Sequence, residues 1–113
     1  MRLVVVESPF APSLTANEEE HVAYARSCLA DCLLRGEAPY ASHLLYTQEG
    51  VLDDTDPDER ALGIEAGIAW GDRADAVVVY TDYGISRGMQ YGIERATKRG
   101  TPIEYRSLCE VGA

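Results

Sequence analysis

The sequence predicts an α/β fold: a small, doubly wound parallel sheet of about four to five strands, flavodoxin- or Rossmann-like, with helices on both faces. Two observations point there. Leu3-Val4-Val5-Val6 and Ala76-Val77-Val78-Val79 are unbroken apolar, mostly β-branched runs, the pattern of strands buried on both sides. Between and after them lie segments whose apolar residues recur at helical period, so strand and helix alternate. The 113 residues are the size of a single domain, 1–113, able to bury a core. Short links between alternating elements imply parallel strands joined by right-handed crossovers.

The first strand begins at Arg2 and is stopped by Ser8-Pro9-Phe10-Ala11-Pro12. Thr15 followed by Glu18 has capping-box spacing. Val22, Ala25, Cys28, Leu29, Cys32 and Leu33 then run at helical period to Gly36, a left-handed cap. Residues 38–45 read as a short second strand passing into a loop. Residues 46–55 are a polar, acidic loop long enough for a lid or a partner contact. Asp56, Pro57 and Glu59 fit the N-cap, N1 and N3 positions of a second long helix reaching about Arg73. The acids around them (Asp53, Asp54, Asp58) lack the glycine and closing glutamate of an EF-hand loop, so a helix start and a solvated turn account for them and no metal is expected. Residues 76–80 form the third strand, 86–99 the third helix with Gly100 as its cap, and 102–106 a last short strand.

An apolar fraction of 46% and a charged fraction of 26% are ordinary for a globular protein. The net charge of −9 repels a nucleic-acid backbone, so no polynucleotide partner is expected, while local dipoles and an arginine can still hold a small anion. Met1 leads directly into a strand without a signal-peptide pattern, and no apolar run approaches the roughly 20 residues of a membrane span. These features predict a cytoplasmic protein with no membrane partner. Cys28 and Cys32, at i, i+4 spacing, read as buried reduced thiols, and Cys109 leaves the count odd.

In such sheets ligands bind beyond the carboxyl ends of the strands. Tyr80 to Met89 carries the chain from strand into helix there, aiming free backbone N–H groups and a helix dipole at one point suited to a phosphate. Ser86 can cap that helix, Gly88 lets a ligand approach the backbone, and Arg87 can pair with an anion. The same residues also read as an ordinary N-cap beside a solvated arginine. Ser8, Pro9 and Phe10 offer a hydroxyl and a ring to a sugar or base, or simply end the strand and pack. His43 either faces the same crevice or is structural. Asp82 and Tyr83 either reach a ligand or shape a turn. Trp70 and Tyr91 read as packing. No Ser-His-Asp, zinc or P-loop pattern is present, and no cofactor is expected.

The order of a Val-rich strand, an S-P-F turn, a His-Leu-Leu segment, a D-P-x-E-R helix start, an A-D-x-V-V-V strand and an S-R-G-M helix resembles the nucleoside 2-deoxyribosyltransferase-like superfamily, in particular its small phage and actinobacterial branch. The resemblance runs from Arg2 to Arg106. It implies a small doubly wound sandwich assembled as dimers or larger oligomers, with sites often completed by a neighbouring subunit, and enzymes that cleave or transfer N-glycosidic bonds. The S-x-G that binds a 5′-phosphate in nucleotide-hydrolysing members falls on Ser86 and Gly88. The nucleophilic glutamate one and a half turns later falls on Gly92, and the aspartate of the preceding helix at about Gly67. Both carboxylates are missing. Glu65 and Glu94 lie two residues away, about 200° around a helix and so on its other face.

These departures imply a domain that binds a nucleotide or nucleotide-derived small phosphorylated ligand without the family's turnover, as a phage nucleotide-sequestering protein would. The alternative is a nucleoside or nucleotide N-glycosidase, or a 2-deoxyribosyltransferase, using relocated carboxylates, with Glu65, Asp82 and Glu94 as catalytic candidates. A third reading is an interaction module contacting a partner through residues 49–58. Tyr24, Tyr46 and Tyr91, read as exposed, together with the superfamily habit, imply a homodimer or larger assembly.

Overall fold

The structure is a computed structural model and describes residues 1–10 and 17–108. Strands β1 (Arg2–Glu7), β2 (Glu37–Tyr40), β3 (Ala76–Tyr80) and β4 (Ile103–Arg106) form one sheet. Its order is β2-β1-β3-β4 and every pairing is parallel. Between them run helices α1 (Glu18–Leu34), α2 (Ser42–Leu45), α3 (Pro57–Gly71) and α4 (Arg87–Arg99). Strand period explains why the two central strands carry unbroken apolar runs, Leu3 to Val6 and Ala76 to Tyr80. Val4, Val6, Ala76, Val78 and Tyr80 pack on one face with Tyr24, Cys28 and Cys32 of α1. Val5, Val77 and Val79 pack on the other with Met89, Ile93 and Ala96 of α4. Burying a valine of this kind stabilises the fold by roughly 1.5–3 kcal/mol. Because β2 lies on one side of β1 and β3 on the other, the strand order reverses at β1/β3, the switch point where such sheets open a crevice.

Helix ends follow local chemistry. Asp56 caps α3, accepting from the N–H of Asp58 and Glu59, with Pro57 leading the helix. Ser86 is the N-cap of α4 rather than its first residue, and Gly100 closes it at φ 77°. Two expectations are corrected. Thr15 lies outside the described residues, and the capping box that starts α1 is Asn17 with Glu20, in which each side chain accepts from the other's backbone N–H. The second strand ends at Tyr40, and residues 42–45 turn into α2, so His43 sits in a short helix rather than after a strand. Ala41, buried at that junction, starts the turn.

The α1 face also holds a buried ion pair. Arg106 donates to Glu37 through both nitrogens at 2.7 Å, and to Glu104 at 3.0 Å. Arg106 holds the Glu37 carboxyl below its usual range. Removing either partner would strand a buried charge. Cys28 and Cys32 are buried and free, and burial pushes the Cys28 thiol up to about 12, so it is inert. Cys109 lies outside the described residues. Tyr24, read as an exposed aromatic, is buried, because it packs under Tyr83 and bonds Asp82. Tyr46 is half-buried, and Tyr91 remains exposed. No helix among the described residues is long and apolar enough to cross a membrane.

Candidate functional site

A cavity of about 250 Å³ opens beyond the carboxyl ends of the strands. Ser8 and Phe10 line it from the end of β1, His43 from α2, Arg60 from α3, and Ser86 to Met89 from the start of α4. Tyr46, Thr47, Leu52 and Asp54 of the loop before α3 close its outer side. The Ser86 oxygen accepts from the Met89 N–H at 3.3 Å as an N-cap, so its own proton remains available to donate. The first helical N–H groups have no intrahelical acceptor. Gly88 faces open space: a Cβ there would meet nothing within 4 Å. A ligand can therefore come directly against the backbone at this turn, with Arg87 and Arg60 on its flanks.

On the opposite wall, Ser8 Oγ and His43 Nε2 lie 3.0 Å apart. Burial, with His21 as a secondary influence, pushes the His43 imidazole down to about 4. The ring is therefore neutral at pH 7, and its Nε2 can accept the Ser8 proton. Phe10 meets the His43 ring edge-on at 5.8 Å. His21 Nδ1 lies 3.2 Å from the Phe10 carbonyl oxygen, which pins the turn that carries Ser8 and Phe10.

The central finding is Glu7. It ends β1 on the same strand parity as Val5, and so points to the face that α4 covers. Its carboxyl lies directly over Gly92: a Cβ on residue 92 would sit 2.6 Å from Glu7 Cδ and 3.1 Å from Oε1. The acid missing from α4 is thus matched by one arriving from β1 in the same space. Desolvation pushes the Glu7 carboxyl up to about 8, and the group lines the cavity.

Of the residues expected to bind a ligand, Ser8, Phe10, His43, Ser86, Arg87, Gly88 and Met89 come together around this cavity. Pro9 is buried and does not line it. Asp82 and Tyr83 turn away. Asp82 accepts from Tyr24 Oη at 2.5 Å, Ser107 Oγ at 2.5 Å and the Leu108 N–H at 2.9 Å, so it latches α1 and the end of β4 to β3. Tyr83 packs edge-on against His21 and Tyr24. Among the catalytic candidates, Glu65 is exposed on α3, and Glu94 lines a shallow outer depression of α4. Sequence reasoning missed Glu7 and Arg60. The available signal for Glu7 was a carboxylate closing a buried apolar strand on the parity of Val5.

Residues 2–106 match the family model described as Domain of unknown function (DUF7768). The chain belongs to that family. No curated protein matches this DUF7768 chain. Among solved structures it is similar to the 2-deoxyribosyltransferase of the psychrotolerant bacterium Bacillus psychrosaccharolyticus, at 16% identity and a TM-score of 0.65, covering 96% of this chain and 74% of that one. At that identity the likeness establishes a shared fold, and this chain's four-stranded parallel sheet is the flavodoxin-like architecture expected from the sequence.

Proposed function

We propose that the DUF7768 crevice binds a nucleoside-derived, small phosphorylated ligand, with its phosphate at the Ser86–Gly88 turn and its sugar and base between Glu7 and Phe10. The observation that carries this reading is the open backbone at Gly88, facing the same cavity as an aromatic ring and a desolvated carboxyl. The fold relative is a 2-deoxyribosyltransferase described as a biocatalyst for nucleoside synthesis, which supports a nucleoside as the ligand class. Mass spectrometry of the denatured, purified protein should recover a nucleotide. Calorimetry against nucleoside phosphates and cyclic or NAD-derived nucleotides should show binding that weakens at least about tenfold in Ser86→Ala/Arg87→Ala. Silence across the panel would reject the reading.

Glu7 favours a second reading, turnover rather than sequestration. Gly92 and Gly67 leave the two helices without the superfamily's acids, and Glu7 brings a carboxyl back over Gly92. Ionised Glu7 would attack the anomeric carbon as the C–N bond breaks, the leaving base taking its proton from water in the crevice. Water would then hydrolyse the glycosyl ester and restore the carboxylate. Because the group titrates at about 8, the rate should climb with pH up to that value. Chromatography should detect free base released from a nucleoside monophosphate, and none from Glu7→Gln. A ligand recovered intact after prolonged incubation leaves sequestration as the function. A homodimer through α3 and α4, where Leu62, Trp70 and Tyr91 are exposed, fits either reading and is checked by light scattering.

A further inference from the structure

We propose that the crevice continues inward to a second anion subsite between α3 and α4, built around Arg95. It extends the ligand site proposed above and rests on that reading only for the ligand's identity. Behind Glu7 lies a cavity of about 100 Å³, floored by Val5 and Val77 of the sheet. Gly67 and Gly71 of α3 and Gly88 and Gly92 of α4 line it, together with the side chains of Glu7, Ser42, Arg95 and Arg99. Glycine inside a helix costs roughly 1 kcal/mol against alanine. Three of these glycines make room for polar side chains: a Cβ would sit 3.0 Å from Ser42 Oγ at Gly67, 3.1 Å from Arg99 Nη2 at Gly71, and against the Glu7 carboxyl at Gly92. The space left beside them is still several times the roughly 30 Å³ of one water.

Two arginines enter this space with donors unused. Arg95 Nε, Arg99 Nε and Arg99 Nη1 are buried without a hydrogen-bond acceptor among the described residues. Arg99 Nη1 lies 3.0 Å from Asp72 Oδ1, close enough to pair in charge but not aligned to bond. Arg95 has no ion pair at all among the described residues. In a chain with 19 acids and 10 bases, a sheltered arginine without an ion pair is out of keeping with the composition, and the Glu7 carboxyl that shares this cavity forms none with it. Buried guanidinium donors demand an acceptor. A tetrahedral oxyanion fits the charge, the donor fork and the volume. The ligand class is therefore phosphate, either free or as a second phosphoryl group on the nucleoside.

Protein NMR reads both ends separately, through the backbone amides of 86–88 and the Nε–H signals of Arg95 and Arg99. Inorganic phosphate should shift both sets in the wild type. In Ser86→Ala/Arg87→Ala the arginine signals should still shift, and in Arg95→Met the Arg99 response should weaken about tenfold while the 86–88 amides respond as before. Arg95→Lys, which keeps the charge, should retain part of the response and checks that the fold is intact. Arginine signals that never move, or that move only when the 86–88 amides do, overturn the subsite and leave the proposed function standing. The converse pattern rejects the outer phosphate and keeps the subsite. A nucleoside 3′,5′-bisphosphate that moves both sets at one concentration identifies the second phosphoryl source, whereas a response to inorganic phosphate alone identifies the free ion.

Discussion

Glu7→Gln isolates the electrostatic cost of the acid that lies over Gly92. Desolvation raises its carboxyl from 4.5 to about 8. Between those values the unfolded chain has released the proton while the folded chain retains it, so each pH unit upward removes about 1.4 kcal/mol of wild-type stability. Across the whole window the loss approaches about 5 kcal/mol, a ceiling that falls if cavity water relaxes around the charge. Glutamine is nearly isosteric and carries no titrating proton. The variant should match the wild type near pH 4, gain steadily as pH rises, and level off above about pH 8. Urea unfolding of both proteins, stepped across that range, gives the difference directly. Two curves that stay parallel from acid to alkaline pH would mean that Glu7 ionises freely and is not a desolvated acid.

Gly92→Ala should lower stability by about 1–3 kcal/mol, because its methyl group meets the Glu7 carboxyl. In a Glu7→Ala background the same change should become stabilising by up to about 1 kcal/mol through helix propensity, and an equal cost in both backgrounds would refute the contact. Asp82→Ala should cost about 2–4 kcal/mol in denaturant unfolding by releasing Tyr24, Ser107 and Leu108, while nucleotide binding measured by calorimetry is retained. His43 should titrate at about 4 in NMR spectra. Its folded value lies below its unfolded one, so its contribution to stability is complete above about pH 6.5 and is lost as pH falls towards 4. A midpoint near 6.5 would show the ring to be solvated.

Most of the architecture was legible in short-range pattern. Val4 to Val6 and Ala76 to Val79 announced buried parallel strands, and Asp56, Ser86 and Gly100 marked helix ends that the structure keeps. The misreadings have local causes. Thr15–Glu18 and Asn17–Glu20 both satisfy capping-box spacing, and spacing alone does not rank them. Residues 38–45 hold too few positions for strand and helical turn to differ in period. Tyr24 looked exposed because its partner Asp82 belongs to the far end of another element.

Backbone period, capping and burial of the central strands were written in the chain itself, since they depend on residues within about four positions of one another. The meeting of Glu7 with Gly92, the isolation of Asp82 from the crevice and the unpaired Arg95 were decided only by tertiary packing. Those depend on strand parity at the end of β1 and on where α4 crosses the sheet. Both follow from register and helix docking, which no local window contains.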